Sequence, residues 1–146
     1  MSSYADTSFL VSLYGRDVNS RPALALVEKH RPLFTITPFG ETEFTNIVFA
    51  VTARPRSWTI REARAIEEDF VSDLQAGVWQ WENLPAETWS RARELARRHA
   101  PRLGSRTLDT IHVASALALG AEDFYTFDRD QARLARAAGL PVVGCS

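Results

Sequence analysis

Apolar positions along the chain follow two rhythms that alternate. Short, nearly continuous apolar or β-branched runs occur at Tyr4–Ser8, Leu33–Thr37, Val78–Trp81, Phe124–Phe127 and Pro141–Val143. Runs this short, bounded by breakers, predict buried strands. The first turns into a helix from Ser8 to about Gly15, with Thr7 or Ser8 as its cap and Asp6 at the end of the strand. Longer segments between the other runs carry apolar residues at helical spacing. A second helix opens at Arg21-Pro22 and runs toward His30, since proline suits a first turn. A third starts near Pro38, carries Phe44, Ile47, Val48 and Val51 on its stripe, and stops by Pro55. A fourth spans Thr59 to about Gln75. Thr59 and Glu62 have capping-box spacing there, and Ile66, Phe70 and Leu74 form one stripe opposite Glu68 and Asp69. The fifth runs from Pro85 to His99. Pro101 and Gly104 break the chain before a helix at Thr107, and a last helix from Gln131 to Ala138 stops at Gly139. Strands alternating with helices predict a parallel sheet covered on both faces. No repeat, low-complexity tract or linker divides residues 1–146, so a single domain is expected.

Composition adds constraints. With 146 residues, 45% hydrophobic and 24% charged, the chain has the size and balance of one soluble domain. No apolar run approaches the roughly 18 residues that span a bilayer, and Met1–Asp6 lacks the pattern of a secretion signal. Cys145 is the sole cysteine, which excludes an intramolecular disulfide or a cysteine zinc site and fits a reducing cytoplasm. The net charge of -1 predicts no strong field. Lys29 is the sole lysine. Arginine suits bidentate contact with phosphate or carboxylate, although genome composition explains such a bias equally well.

The candidate chemistry lies in the acids. Asp109, Val113, Ala116 and Gly120 share one helical face, which sets Asp109 at the edge of an apolar stripe where an unpaired carboxylate is costly. Ligands of open α/β sheets bind beyond the C-terminal strand ends. That rule selects Asp6 after the first strand and Asp128 with Asp130 after the fourth. Glu43 and Asp109, in the first turns of their helices, can face the same edge. Four or five acids converging on one cleft repel unless a proton or a cation intervenes, and oxygen-only ligands favour Mg²⁺ or Mn²⁺. Each acid also has a plainer reading: Asp6 as a helix cap, Glu43 and Asp109 as complements of helix dipoles, Asp128 and Asp130 as loop and cap residues. Glu41 reads as a solvated neighbour of Glu43.

Four segments, in order, carry a resemblance: Tyr4-Ala5-Asp6-Thr7-Ser8-Phe9-Leu10, Glu43-Phe44, Leu108 to Ala116, and Thr126-Phe127-Asp128-Arg129-Asp130. The chain resembles PIN-domain ribonucleases, and within them the VapC-type toxins of toxin–antitoxin pairs. The resemblance implies a three-layer α/β/α PIN-like domain around a mainly parallel sheet of four or five strands. It implies a metal-dependent endoribonuclease in which Asp6, Glu43, Asp109 and Asp128 form an acidic quartet. Asp6, Asp109 and Asp128 would then meet the metal, with Asp130 an accessory ligand, and Thr7, Ser8 and Thr126 would orient the acids. A homodimer and an antitoxin that blocks the groove are implied too. Phe39, Phe49, Trp58 and Phe70 are the surplus apolar residues that such a dimer would use. His112, three residues after Asp109, reads foremost as a buried, hydrogen-bonded packing residue.

Arg91, Arg93, Arg97, Arg98, His99, Arg102 and Arg106 cluster ahead of the Asp109 helix. Arg97, Arg98, Arg102 and Arg106 are candidates for RNA phosphates or an antitoxin. The competing reading is a solvated face paired with Glu87 and Glu94. Two functions of other classes compete with the nuclease. One is an inactive PIN-fold module that binds RNA or protein. The other is a phosphoacceptor receiver domain, disfavoured because Lys29 lies too early to contact a phosphoryl group.

Overall fold

The computed structural model describes residues 1–145. Five two-residue strands alternate with seven helices. β1 (Tyr4–Ala5) leads into α1 (Thr7–Tyr14) and α2 (Ser20–His30). β2 (Thr35–Ile36) leads into α3 (Pro38–Ala50), a 3₁₀ turn (Val51–Ala53) and α4 (Ile60–Gln75). β3 (Gln80–Trp81) precedes α5 (Thr88–Leu103) and α6 (Thr107–Ala118), and β4 (Phe124–Tyr125) precedes α7 (Arg129–Ala137) and β5 (Val142–Val143). β1, β4 and β5 form one parallel sheet in the order β1-β4-β5, and β2 pairs with β3 in parallel. A parallel bridge between Ser3 and Phe34 joins the two. The five expected strands are therefore present, in the spatial order β3-β2-β1-β4-β5, and all are parallel.

Alternation along these strands divides the core. Ala5, Tyr125 and Val143 face one way, into a cluster with Phe9, Phe34, Phe44, Phe70 and Trp79. Their neighbours Tyr4, Phe124 and Val142 face the other way, against Val113, Ala114 and Leu134. Successive residues of a strand point to opposite faces, so α1–α4 cover one side and α5–α7 the other. This is the three-layer PIN-like arrangement.

Several boundaries differ from expectation for local reasons. The cap of α1 is Asp6 itself, whose side chain accepts from the Phe9 N–H, and not Thr7 or Ser8. α7 starts at Arg129, two residues early, because Asp128 accepts from the Asp130 and Gln131 N–H groups. α5 starts at Thr88 instead of Pro85 and continues through Pro101 to Leu103. The break comes at Gly104 alone, which takes φ 62° and donates to the Ala100 carbonyl. Glu43 lies in the second turn of α3, not the first, since that helix begins at Pro38. Gly120 lies beyond the end of α6, at φ 71°. The capping box of Thr59 and Glu62 is present in full. Of the surplus apolar residues, Trp58 and Phe70 are buried, Phe49 is half-buried against the same core, and Phe39 is half-buried against His112.

Gly15 ends α1 where a side chain has no room. A Cβ there would lie 2.8 Å from the Val11 carbonyl oxygen and 2.9 Å from the Trp58 ring.

A candidate active site at the C-terminal sheet edge

β1 and β4 lie side by side and end together, and this register builds the first half of the site. Asp6 follows β1 and Thr126 follows β4; the Asp6 N–H donates to the Tyr125 carbonyl. The Thr126 hydroxyl donates to Asp6 Oδ2 at 2.5 Å and accepts from the Asp128 N–H at 3.0 Å. Asp6 Oδ1 accepts from the Ser8 hydroxyl at 2.9 Å and from the Phe9 N–H at 2.8 Å. Only 4% of Asp6 is exposed. Burial raises its pKa, against the opposing pull of the Thr126 bond. Asp6 thus acts as a helix cap and a site carboxylate together, with Thr126 and Ser8 fixing its orientation.

Glu43 comes from α3, across the front of α1. Its Oε1 accepts from the Thr7 hydroxyl at 2.7 Å and meets His112 Nε2 at 2.5 Å. His112 Nδ1 lies 2.7 Å from the Tyr4 hydroxyl. A carboxylate at Nε2 and a phenol at Nδ1 assign the Nε2–H tautomer, with Tyr4 donating to Nδ1. Burial alone would raise the Glu43 carboxyl, but the bonds from His112 and Thr7 outweigh it and hold the pKa below the ordinary value. His112 is buried at 4% exposure, as expected of a packing residue. It also ties β1 to α3 through the site. Glu41 takes a different course, its carboxylate accepting from the exposed Trp81 indole N–H.

Asp109 stands in the first turn of α6, half-buried beside the C-terminal end of β4. Its carbonyl accepts from the Gln131 side chain at 3.0 Å, which fastens α6 to α7. No hydrogen bond to the Asp109 carboxylate occurs among the described residues. Burial raises its pKa, and the charges of Asp128 and then Asp6 raise it further. Asp128 is exposed, and its Oδ1 holds the start of α7. Asp130, also exposed, donates its N–H to Asp128 and lies 3.7 Å from Arg133. A cleft of about 110 Å³ opens here, lined by Asp109, Asp128, Asp130, Arg106, Arg133 and the 103–105 turn.

The arginines divide. Arg97 is held by Glu94 at 3.2 Å and Arg91 by Glu87 at 3.5 Å, while His99 is buried. Arg98, Arg102 and Arg106 are exposed and make no ion pair among the described residues. Arg106 alone of this group borders the acidic cleft.

The PIN domain family model matches residues 3–137. The chain belongs to the PIN domain family. Among solved structures, this PIN domain is similar to VapC20 of Mycobacterium tuberculosis, a sarcin-ricin loop cleaving toxin. The two are 24% identical over 98% of both chains, with a TM-score of 0.70. It is also similar to VapBC2 of Rickettsia felis, solved with a DNA fragment of its promoter, at 16% identity over 98% of both chains and a TM-score of 0.64. A toxin–antitoxin complex from Klebsiella pneumoniae matches at 20% identity, 97% and 96% coverage and a TM-score of 0.62. At these identities the likeness is one of fold. No curated protein sequence matches the chain. Among the described residues, no helix is long and apolar enough to cross a membrane.

Several members of the PIN site escape sequence reasoning. Tyr4 sits inside a strand and reads only as apolar filling, yet its hydroxyl fixes His112. Gln131 reads as a helix start but is buried and carries the α6–α7 tie. Arg133 borders the cleft one turn after Arg129. The one available signal is a histidine three residues after Asp109, on the inner side of the same helix.

Proposed function

We propose that this PIN domain is a metal-dependent endoribonuclease of the VapC type, acting as the toxin of a toxin–antitoxin pair in the cytoplasm. The observation that carries the reading is the gathering of Asp6, Glu43, Asp109 and Asp128 at the C-terminal edge of a parallel sheet. Two of them are locked by hydroxyl and imidazole donors, and two are left open. The raised pKa of Asp109, through burial and then the charges of Asp128 and Asp6, reports mutual repulsion that a cation would relieve.

The donor set suits a hard ion. Glu43 Oε2, Asp128 Oδ2 and both Asp109 carboxylate oxygens receive no hydrogen bond among the described residues. Asp6 Oδ2 receives only the Thr126 bond. No three ligating side chains among the described residues already form a metal-holding group. Oxygen-only ligands suit Mg²⁺ and Mn²⁺, with water completing the coordination. Asp6, Asp109 and Asp128 would hold the ion, with Asp130 joining through water. The chemistry such an ion supplies is acidification of water and neutralisation of phosphate charge.

The chain's own residues do the rest. Thr126 and Ser8 keep both Asp6 oxygens in place. His112 and Thr7 keep Glu43 ionised with Oε2 free as an acceptor. Asp128, anchored through Oδ1, presents Oδ2 to orient the attacking water. Arg106, with Arg102 and Arg98 behind it, offers cations to RNA phosphates or to the antitoxin that competes for them. Arg97 is the weakest member of that set, since Glu94 already holds it. The homodimer stays part of this reading, but Trp58 and Phe70 are taken up by the core, which leaves the half-exposed Phe39 and Phe49 of the four for its interface.

The purified chain should cleave RNA with Mn²⁺ or Mg²⁺ and lose activity in EDTA, and Asp6→Asn should be inactive while folded. Mn²⁺ should raise the thermal midpoint of the wild type and leave that of Asp6→Asn unmoved. Induced expression should arrest growth in the wild type only. Undiminished cleavage in EDTA would remove the metal from this reading, and no cleavage under any metal would remove the nuclease.

A further inference from the structure

A second concavity lies apart from the acidic cleft. It measures about 620 Å³ and runs along the outer face of α1, from Ser8 through Ser12 to the 54–58 loop beyond α3. It begins at the acids, because Ser8 lines it and donates to Asp6 Oδ1 at 2.9 Å. At its far end stand Arg16, Arg54 and Arg56. Arg16 is paired with Glu62. Arg54 and Arg56 are exposed and have no carboxylate partner among the described residues. Asp17 is the single acid in the lining, and its carboxylate is occupied by Ser12 and the Asn19 N–H.

The loop that carries these two arginines is pinned. The Ser57 hydroxyl donates to the Val51 and Arg54 carbonyls at 2.6 and 2.7 Å, and the Arg54 N–H donates to Val51 at 3.0 Å. Arg56 adopts φ 60°, a left-handed conformation unusual outside glycine. Held this way, the backbone that carries the two guanidinium groups is already set before they meet an anion.

We infer that this groove is an RNA-binding arm of the site, with Arg54 and Arg56 gripping backbone phosphates of a single strand whose scissile bond lies at Asp6. The inference rests on the nuclease reading and adds where the strand travels. α1 spans eight residues, about 12 Å at 1.5 Å per residue, so the arginines sit a few nucleotides from the acids. RNA fits better than a protein helix. A backbone phosphate matches two exposed guanidinium groups without a carboxylate partner, in a lining whose single acid is already bonded. Of the apolar anchors that a protein helix would need, Val11 and Trp58 are buried, Ile47 and Val51 are half-buried, and only Pro55 is exposed. Among the exposed large apolar residues, Val18 adjoins the groove in sequence, between Asp17 and Asn19, and Leu24, Ile60, Trp81, Trp89 and Leu108 are not in its lining. Arg106 and Arg133 stand at the acidic cleft, beyond the other end of this path, so the strand would be held on both sides of the acids.

The test is the salt dependence of binding to a fluorescein-labelled, mixed-sequence single-stranded RNA in EDTA. The wild type is compared with Arg54→Ala/Arg56→Ala and with Lys29→Ala/Arg64→Ala, which removes two charges elsewhere. The groove variant should lower the slope of log K against log salt by about 1.4, or about 0.7 for each phosphate that an arginine no longer neutralises. The control variant should not lower it. In cleavage assays the groove variant should raise KM at unchanged kcat. A slope equal to that of the control, in an enzyme that still cuts RNA, overturns the groove and leaves the nuclease standing. An unchanged RNA slope with weakened binding of poly-glutamate hands the groove to a protein and overturns the inference. A wild type that neither binds nor cuts RNA overturns both readings.

Discussion

Asp6 and Asp109 stand near enough for the charge of Asp6 to raise the Asp109 pKa, and their surroundings are opposite. Both Asp6 oxygens are bonded, to Ser8, the Phe9 N–H and Thr126. Beside it, Glu43 is held by Thr7 and His112, with Tyr4 behind the imidazole. Asp109 has its main chain tied by Gln131, but its carboxylate receives nothing from the described residues. The first half is preorganised at folding; the second has oxygens to spare. A site that must accept a cation and a phosphate benefits from both features. Fixed donors limit the reorganisation required during reaction, while open oxygens and mutual repulsion give an incoming ion something to relieve.

The comparison is tested hardest on the open side. Asp109→Asn should lower RNA cleavage by more than about 100-fold, beyond the range typical of losing a supporting partner. The metal-free fold should be no less stable, because the substitution removes a repelled carboxylate and breaks no hydrogen bond to it. A matched pair of measurements, cleavage rate and urea midpoint in EDTA, checks both statements. A large stability loss would show that Asp109 holds the fold together.

On the locked side, activity and stability should fall together. His112→Leu leaves the Tyr4 hydroxyl and Glu43 Oε1 short of partners, at about 1–3 kcal/mol. It should reduce cleavage by about 10–100-fold, as for other losses of an orienting group. Urea unfolding alongside kcat would break the comparison if either quantity moved alone. Tyr4→Phe should give a weaker version of both effects.

The two sides also differ in how they respond to pH. Asp6 and Asp109 both have raised folded pKa values, chiefly through burial, and Asp109 also through the charge of Asp128. Their stabilising contribution is present below the unfolded carboxylate pKa and lost as pH rises through the folded values. Glu43 has a lowered pKa, so its contribution is present above the unfolded value and lost as pH falls through the folded one. In EDTA the site should gain stability as pH drops from neutral toward the ordinary carboxylate range, then lose part of it as pH falls on below the ordinary glutamate value. The gain should be smaller in Asp109→Asn, and a thermal midpoint series across that range measures it.

How far the sequence could lead follows from the same contrast. The open side was legible because its acids sit next to breakers and strand ends, where position alone implies convergence. The parallel sheet covered on both faces was legible because short apolar runs such as Leu33–Thr37 and Phe124–Phe127 alternate with helical segments. The locked side was legible only residue by residue, as Asp6, Glu43 and His112, because its bonds join residues 36 to 120 positions apart, and no local pattern marks Tyr4, His112 and Glu43 as one network. The capping roles of Asp6 and Asp128 compressed the strand-to-helix turns and moved helix starts by one or two residues. The surplus of Trp58 and Phe70 misled for a related reason: Trp58 gives its N–H to the Val48 carbonyl and Phe70 stacks on Phe44 of a neighbouring helix, which periodicity within one helix cannot reveal.

The smallest effect belongs to Asp130. Its carboxylate is exposed, and its one ionic partner, Arg133, lies 3.7 Å away on the next turn of α7. Exposed pairs of this kind contribute little, so Asp130→Ala should change stability by less than about 0.5 kcal/mol. Its N–H still donates to Asp128, since the backbone survives the substitution. If Asp130 reaches the ion only through water, cleavage should fall mildly, with the Mn²⁺ dependence displaced toward higher concentration and kcat restored at saturation. Titrating Mn²⁺ against cleavage for Asp130→Ala and Asp128→Ala separates the two acids. Failure at every concentration in Asp130→Ala would move it from the rim of the open side to its centre.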